Sequence, residues 1–366
     1  MSDTDSVERR SDDGAMAEGP RKMTRREFLP GAILGGGLLA AGGLYLYKRS
    51  EKAISGQARE SASSIREAQR ALREVDPKLI EYEQVGRIDT GLTEPRQITL
   101  APDGSLYVAG DRTMRIFDPS GAPRAEMPLA ADPHCLAVDD SGTVYVGFRD
   151  HVEVYGPGGE LRARWPSLGE RAYLTCLALS GDDVWVADAG SRVVLRCDSS
   201  GCLLGRIGEK DESREIPGLV LPGPHLDVVV APDGLLLVNN SGRWTVETYT
   251  AEGELRSSWG RASQGIEGFC GCCNPTDIAL FPDGRVATSE KGLPRVKVYS
   301  PDGTLECVVA APDDLSVNPA GTVGCEGAGL DLAIDSEGRL LVLDPCARAV
   351  RVFARRDSAG PQEVRS

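Results

Sequence analysis

From Tyr82 onward the chain repeats one unit six times, and this repeat limits the fold more than any other feature. Each unit holds a short apolar strand, a turn that usually contains Asp-Gly, and a second apolar strand. A third strand ending in an aromatic follows in most units, then another glycine turn and a fourth strand. The first strands are Q-I-T-L, C-L-A-V, C-L-A-L, D-V-V-V, D-I-A-L and D-L-A-I, ending at Leu100, Val138, Leu179, Val230, Leu280 and Ile334. The third strands end at Phe117, Tyr155, Cys197, Tyr249, Tyr299 and Phe353. Four strands in each period of 38 to 54 residues predict an all-β, six-bladed β-propeller. One such sheet cannot cover both of its faces; six stacked about an axis can, and few edges stay open. The sixth unit stops after three strands, at V-R-V-F. The segment E-Y-E-Q-V-G-R-I, residues 81–88, is the expected fourth strand, which would close the ring with the two chain ends. Only 5% of residues are aromatic, against 43 Gly and 23 Pro, as suits short strands joined by turns.

Two fragments sharpen this reading, N-P-T-D-I-A-L-F-P-D-G (274–284) and V-W-V-A-D-A-G-S-R-V (184–193). They resemble the NHL repeat family, over about residues 82 to 354. The resemblance implies a six-bladed propeller and leaves function open, because propellers carry lyases, redox enzymes and binding platforms. F-C-G-C-C-N-P (269–275), followed by T-S-E-K-G-L-P-R-V-K-V-Y (288–299), resembles exported bacterial NHL proteins with a G-C-C-N-P loop. That resemblance carries no activity.

The first 23 residues are acidic, Ser-rich and poor in large apolar side chains, and are expected to be disordered. T-R-R-E-F-L (24–29) and an 18-residue apolar, Gly-rich run to Tyr47 resemble a twin-arginine export signal built on Arg25 and Arg26. The run is just long enough to span a bilayer. Lys48 and Arg49 follow it without a small-x-small cleavage site. An uncleaved anchor over 24–49 is therefore expected, with the domain on the extracytoplasmic side; cleavage and release is the alternative. The twin-arginine resemblance implies export of a folded chain, often with a cofactor in place. Ile54, Ala58, Ala62, Ile65, Ala68, Leu72 and Val75 recur at helical spacing, so 50–80 reads as a helical stalk that Pro77 ends. The propeller is expected over 81–356, with a disordered tail at 357–366. A net charge of -14 argues against a nucleic-acid groove.

In such a blade the loop leading into the first strand and the loop joining the second to the third share one face. Three leading loops are long, 209–225, 260–275 and 311–329, in blades four to six. The second carries Cys270, Cys272 and Cys273, the third carries Cys325, and the second-to-third-strand loop of blade six carries Cys346. Five of the ten cysteines are thus expected in one sector. Three states suit them. Disulfides would pin the long loops. Four thiolates would hold zinc or an iron–sulfur cluster, although C-x-C-C is not a standard cluster spacing. A redox-active dithiol or a vicinal Cys272–Cys273 disulfide is the third. Cys197 and Cys202 flank D-S-S-G, a spacing that predicts a disulfide across a hairpin. Cys307 aligns with small residues of other fourth strands and reads as buried packing.

One register at the head of the first strands places Gln97, Cys135, Cys176, Asp227, Asp277 and Asp331 around the channel mouth. The aspartates either bind a ligand or hydrogen-bond the turns, and the two cysteines suit small buried positions. His134 and His225 fall near the same rim, one register apart, and His151 lies in a second-to-third-strand loop. Peptidyl-hydroxyglycine lyases resemble this repeat and hold zinc on channel histidines; these positions do not reproduce that set. No nucleophile–base pair, paired catalytic carboxylates or phosphate loop is visible. The sequence therefore favours a binding or redox module for a protein or small-molecule ligand over a hydrolase. A metal or iron–sulfur electron carrier is the alternative, and a lyase is disfavoured.

Overall fold

The computed structural model describes Glu67, residues 70–316 and residues 329–356. The segments 1–23, 24–49 and 357–366, most of the stalk, and Cys325 lie outside the described residues. Of the stalk, Glu67 and residues 70–73 are helical. The helix stops short of Pro77, because a residue before proline is pushed out of the α region. Asp76 instead caps a 3-10 turn over Pro77–Leu79, its carboxylate accepting from the Lys78 N–H at 2.9 Å.

Beyond that turn, the described strands form six four-stranded antiparallel sheets. Five sheets use consecutive strands. The sixth joins both ends of the domain, in the order Tyr82–Asp89, Ala349–Arg355, Leu340–Asp344, Asp331–Ile334. Tyr82 pairs with Arg355 and Asp89 with Ala349, so the early strand closes the ring as its sequence predicts. The Tyr82 ring is 2% exposed, packed with Phe353, Val298 and Cys307 between the sixth and fifth blades.

Burial grades from the axis outward. The middle strands Val286–Glu290 and Arg295–Tyr299 are buried at every position, being covered by a blade on each side. The outer strand Leu161–Arg164 is exposed at every position. Each fully buried valine or leucine in the inner layers contributes about 1.5–3 kcal/mol. The Asp-Gly turns are set by the same chemistry each time. Asp103, Asp233 and Asp283 accept from the N–H two residues on, at 2.9, 3.1 and 3.1 Å. Gly104, Gly234 and Gly284 take φ of 81, 84 and 89°, which a side chain would resist.

Candidate functional site

The six register positions do ring the channel, and most of them stitch one blade to the next. Asp331 accepts from the Ile98 N–H (2.6 Å), Gln97 from Leu136 (2.7 Å), Asp227 from Ile278 (2.8 Å) and Asp277 from Leu332 (2.8 Å). The Cys176 thiol donates to the Val228 carbonyl at 3.4 Å. Cys135 is fully buried and packs with Leu177 of the next blade. Burial pushes both thiols far above the ordinary range, so neither is a nucleophile.

A second tier of contacts lies nearer the mouth. His134 Nδ1 meets the Leu174 carbonyl at 3.2 Å, and the Thr175 hydroxyl donates to Leu226 at 2.6 Å. Asn239 donates to the Pro275 and Thr276 carbonyls at 3.0 and 3.1 Å, and Ser289 donates to Leu330 at 2.8 Å. His134 is therefore a strut between blades two and three. Asn239 and Ser289 were not legible as site residues, because each sits mid-strand in an otherwise ordinary repeat.

Inside this ring the carboxylates crowd. Burial, then the charges of Asp227 and Asp331, push the Asp277 pKa well above the usual carboxylate range. Burial and Asp227 do the same to Asp331. Burial and like charge thus both favour the protonated form of Asp277 and Asp331.

Above the ring the mouth opens as a cavity of about 260 Å³, lined among others by Arg96, His134, Tyr173, His225, Thr276 and Gly329. The Tyr173 ring packs against His134 at 4.7 Å between centroids. His225 Nε2 lies 2.8 Å from Lys291 Nζ. Burial, then the lysine charge, lower the His225 pKa to about 4. The imidazole is thus neutral at physiological pH and accepts from the ammonium through Nε2. Its proton then sits on Nδ1. Nδ1 is 3.6 Å from where a Gly329 Cβ would stand, and Gly329 lines the mouth. The N–H donor therefore lies on the Gly329 side of the ring. Lys291 follows the second strand of blade five, and the one sequence signal for it is the E-K-G turn beside the cysteine loop.

Of the five cysteines expected in one sector, Cys325 lies outside the described residues and the other four are in different states. Cys272 is disulfide-bonded, while Cys135, Cys176, Cys197, Cys202, Cys270, Cys273, Cys307 and Cys346 are free. Among the described residues no three His, Cys, Asp or Glu side chains are placed to hold a metal ion. Cys346 is exposed, Cys270 half-buried and Cys273 buried. A zinc or iron–sulfur site on Cys270, Cys272, Cys273 and Cys346 is not what these positions offer, because a sulfur in a disulfide cannot act as a thiolate ligand. The Cys197–Cys202 disulfide is also absent. A bulge in the outer hairpin pairs Cys197 with Leu203, so Cys197 turns into the core near Trp165 and Cys202 faces solvent. Cys307 is fully buried packing.

The loop that carries the thiols is held from beneath by a buried ion network. Glu290 accepts from the Cys270 N–H at 3.0 Å, from Arg295 Nε and Nη2 at 3.1 and 2.8 Å, and from Lys297 Nζ at 2.7 Å. Lys297 also donates to the Ile266 and Gly268 carbonyls, at 3.1 and 2.7 Å, and lies 4.7 Å from the centroid of the Phe269 ring. Burial outweighs Glu290 and brings the Lys297 pKa down to about 8. Asn274 fastens the far end, donating to the carbonyls of Cys270 and Lys291 and accepting from the Lys291 N–H at 2.9 Å. In blades three, four and six the matching residues Asp188, Asn240 and Asp344 accept from one N–H of their own leading loops. Leading loops and second-to-third-strand loops therefore share a face. The R-V-K-V pattern puts two cations on one side of a central strand, which was the available signal for the network.

No family model and no curated protein matches the chain. Solved structures do. A streptogramin B lyase superposes with a TM-score of 0.51 at 12% identity, over 75% of this chain and 98% of that one. Catalytically inactive virginiamycin B lyase from Staphylococcus aureus, solved with quinupristin, gives 0.50 at 12% identity, over 72% and 80%. A protein of unknown function from Bacteroides thetaiotaomicron gives 0.53 at 16% identity, over 72% and 70%. The chain has their six-bladed propeller fold. At these identities the likeness extends to fold and no further.

Proposed function

We propose that the chain is a membrane-tethered, extracytoplasmic NHL-type propeller that binds a small ligand with an anionic head at its channel mouth. The observation that carries this reading is the His225 Nδ1–H. The Lys291 contact on the opposite nitrogen fixes its tautomer, and His225 lines the cavity. Arg96 lines the same cavity, and the Asp277 and Asp331 carboxyls beneath it favour the protonated form. The charge of Asp227, which also lines the cavity, is the one that Arg96 and the His225 N–H must outweigh, in a chain with a net charge of -14. A pocket with a few convergent polar groups on a rigid ring is what a binding module needs. The export setting is supported by the twin-arginine pattern alone, and fractionation of native membranes tests it.

In this reading the cysteine loop is a structural support beside the mouth. Cys325, which lies outside the described residues, is proposed as the partner of Cys272, since every described cysteine other than Cys272 is free. Citrate and inorganic phosphate are suitable probes, in equilibrium dialysis against the purified chain. Saturable binding of at least one is expected. Arg96→Met and His225→Leu should each weaken it about tenfold, the loss of one charge-assisted hydrogen bond. No saturable binding by either probe, or equal binding by both variants, would overturn the reading.

A further inference from the structure

We infer that the groove where the ring closes, between blades six and one, is a binding site for a small aromatic amine. The repeat itself shows what shape belongs there. One register in the fourth strands carries Met127, Trp165, Ile207 and Trp259 in blades one to four, and Ile88 in the closing strand of blade six. Each stands opposite the residue three before the end of its third strand; for Ile88 that residue is Val350. Each also reaches the glycine in the next blade's turn between third and fourth strands. Ring atoms of Trp165 and Trp259 come within 2.5 Å of where a Cβ on Gly201 or Gly303 would stand. Ile88 Cγ1 lies 2.9 Å from the same point on Gly121. An indole thus fills this position at two junctions, and an isoleucine holds it at the closing one.

Beside Ile88 a cavity of about 410 Å³ remains, within the range of small-molecule sites. Its floor is apolar. Ile88, Leu100 and Val352 are half-buried there, over the buried Leu106 and Leu341. Val85, at the strand bulge, is 53% exposed at its edge, whereas Trp165 in its own junction is 2% exposed. A flat aromatic ring covers such a floor with few conformational degrees of freedom to lose, and two rings of this chain already lie in the equivalent place.

The rim selects the charge. Asp103, Asp118, Asp335 and Glu337 line the cavity, against Arg87 and Arg339. Arg339 is held by Asp335 and Glu337 at 2.6 and 3.5 Å, and Asp103 by Arg124 at 3.4 Å. Arg87 donates to the Ala347 carbonyl at 3.1 Å. Asp118 makes no ion pair with a described residue; its Oδ1 accepts from Ser120 and from the Ala122 N–H. Asp118 is therefore the carboxylate to which a ligand ammonium can donate. A neutral ring gains the apolar floor alone, and an anionic one meets the carboxylates. The groove shares no lining residue with the channel mouth, so it is independent of the anion site there.

Tryptamine, 3-methylindole and indole-3-propionate offer one ring with three charges. The full-length folded protein is titrated calorimetrically with each. Tryptamine should bind about tenfold more tightly than 3-methylindole, through one charge-assisted hydrogen bond, and indole-3-propionate most weakly. Ile88→Trp puts the chain's own indole in the groove. It should raise the melting temperature, as cavity-filling substitutions do, and abolish tryptamine binding. Asp118→Asn should reduce tryptamine to the affinity of 3-methylindole, and Arg96→Met should leave it unchanged. The inference fails if tryptamine does not bind, if the three probes bind alike, or if Asp118→Asn binds tryptamine as tightly as the wild type. It fails equally if a folded Ile88→Trp still binds tryptamine, or if Arg96→Met loses it, which would place the amine in the mouth. Should Ile88→Trp not fold, the probe series and Asp118→Asn still decide.

Discussion

Asp277 shows how one residue can serve the fold and set the chemistry of the channel. Its Oδ2 stitches blade five to blade six through the Leu332 N–H, and burial, then the charges of Asp227 and Asp331, push its carboxyl well above the usual carboxylate range. The sign of the consequence follows. Between its unfolded and folded pKa values, the native state holds a proton that the unfolded chain has released, so this group's contribution to stability falls as pH rises through that window. Asp277→Asn keeps the acceptor for Leu332 and cannot ionise. Its melting temperature should fall less than that of the wild type from about pH 5 to pH 8. Parallel curves would show that Asp277 is not held protonated. The sequence placed the six channel residues at one register, because a period-two strand pattern carries register with it. Their state was less legible, since proton retention depends on how closely three strands converge and one-dimensional spacing does not record that.

At the scale of elements, the leading loop of blade five differs from its counterparts. Where Asp188 and Asp344 each tie a leading loop by one hydrogen bond and Asn240 by two, Glu290 is one methylene longer than an aspartate and gathers Cys270, Arg295 and Lys297. Lys297→Met should destabilise the protein by about 3 kcal/mol or more, since the Ile266 and Gly268 carbonyls lose their buried donor and Glu290 loses a cation. Amide exchange in 260–275 should rise while that of blades one and two stays unchanged. A uniform rise, or none, would show that Lys297 does not hold this loop. The cysteines of that loop were conspicuous in the sequence, but their state was not. Spacing permits disulfide, metal site or dithiol alike. For Cys197 and Cys202 the D-S-S-G turn looked suitable, but a bulge pairs Cys197 with Leu203, leaving Cys197 in the core and Cys202 at the surface. Bulges leave little trace in sequence, because one extra residue in a turn reads the same as a longer turn.

For the whole molecule, closure was the most legible property. Six periods with a missing last strand and a strand-like segment ahead of the first leave one economical arrangement, and Tyr82–Asp89 takes it. A chain starting at residue 80 should unfold in one cooperative transition. A chain starting at residue 90 loses the Tyr82 anchor and exposes the edge of Ala349–Arg355, and should be aggregation-prone with no sharp melt. Similar melts for the two would mean that the ring closes without this strand. Closure also serves the mouth, because the ring fixes the first strands against one another, and with them Arg96, His134, Tyr173 and His225 around one cavity. The most direct test of the binding account is a crystal structure of the propeller grown with citrate or phosphate. The account predicts an anion oxygen within hydrogen-bond distance of His225 Nδ1, with Arg96 beside it. An anion bound elsewhere on the propeller, with only water at His225, would contradict it.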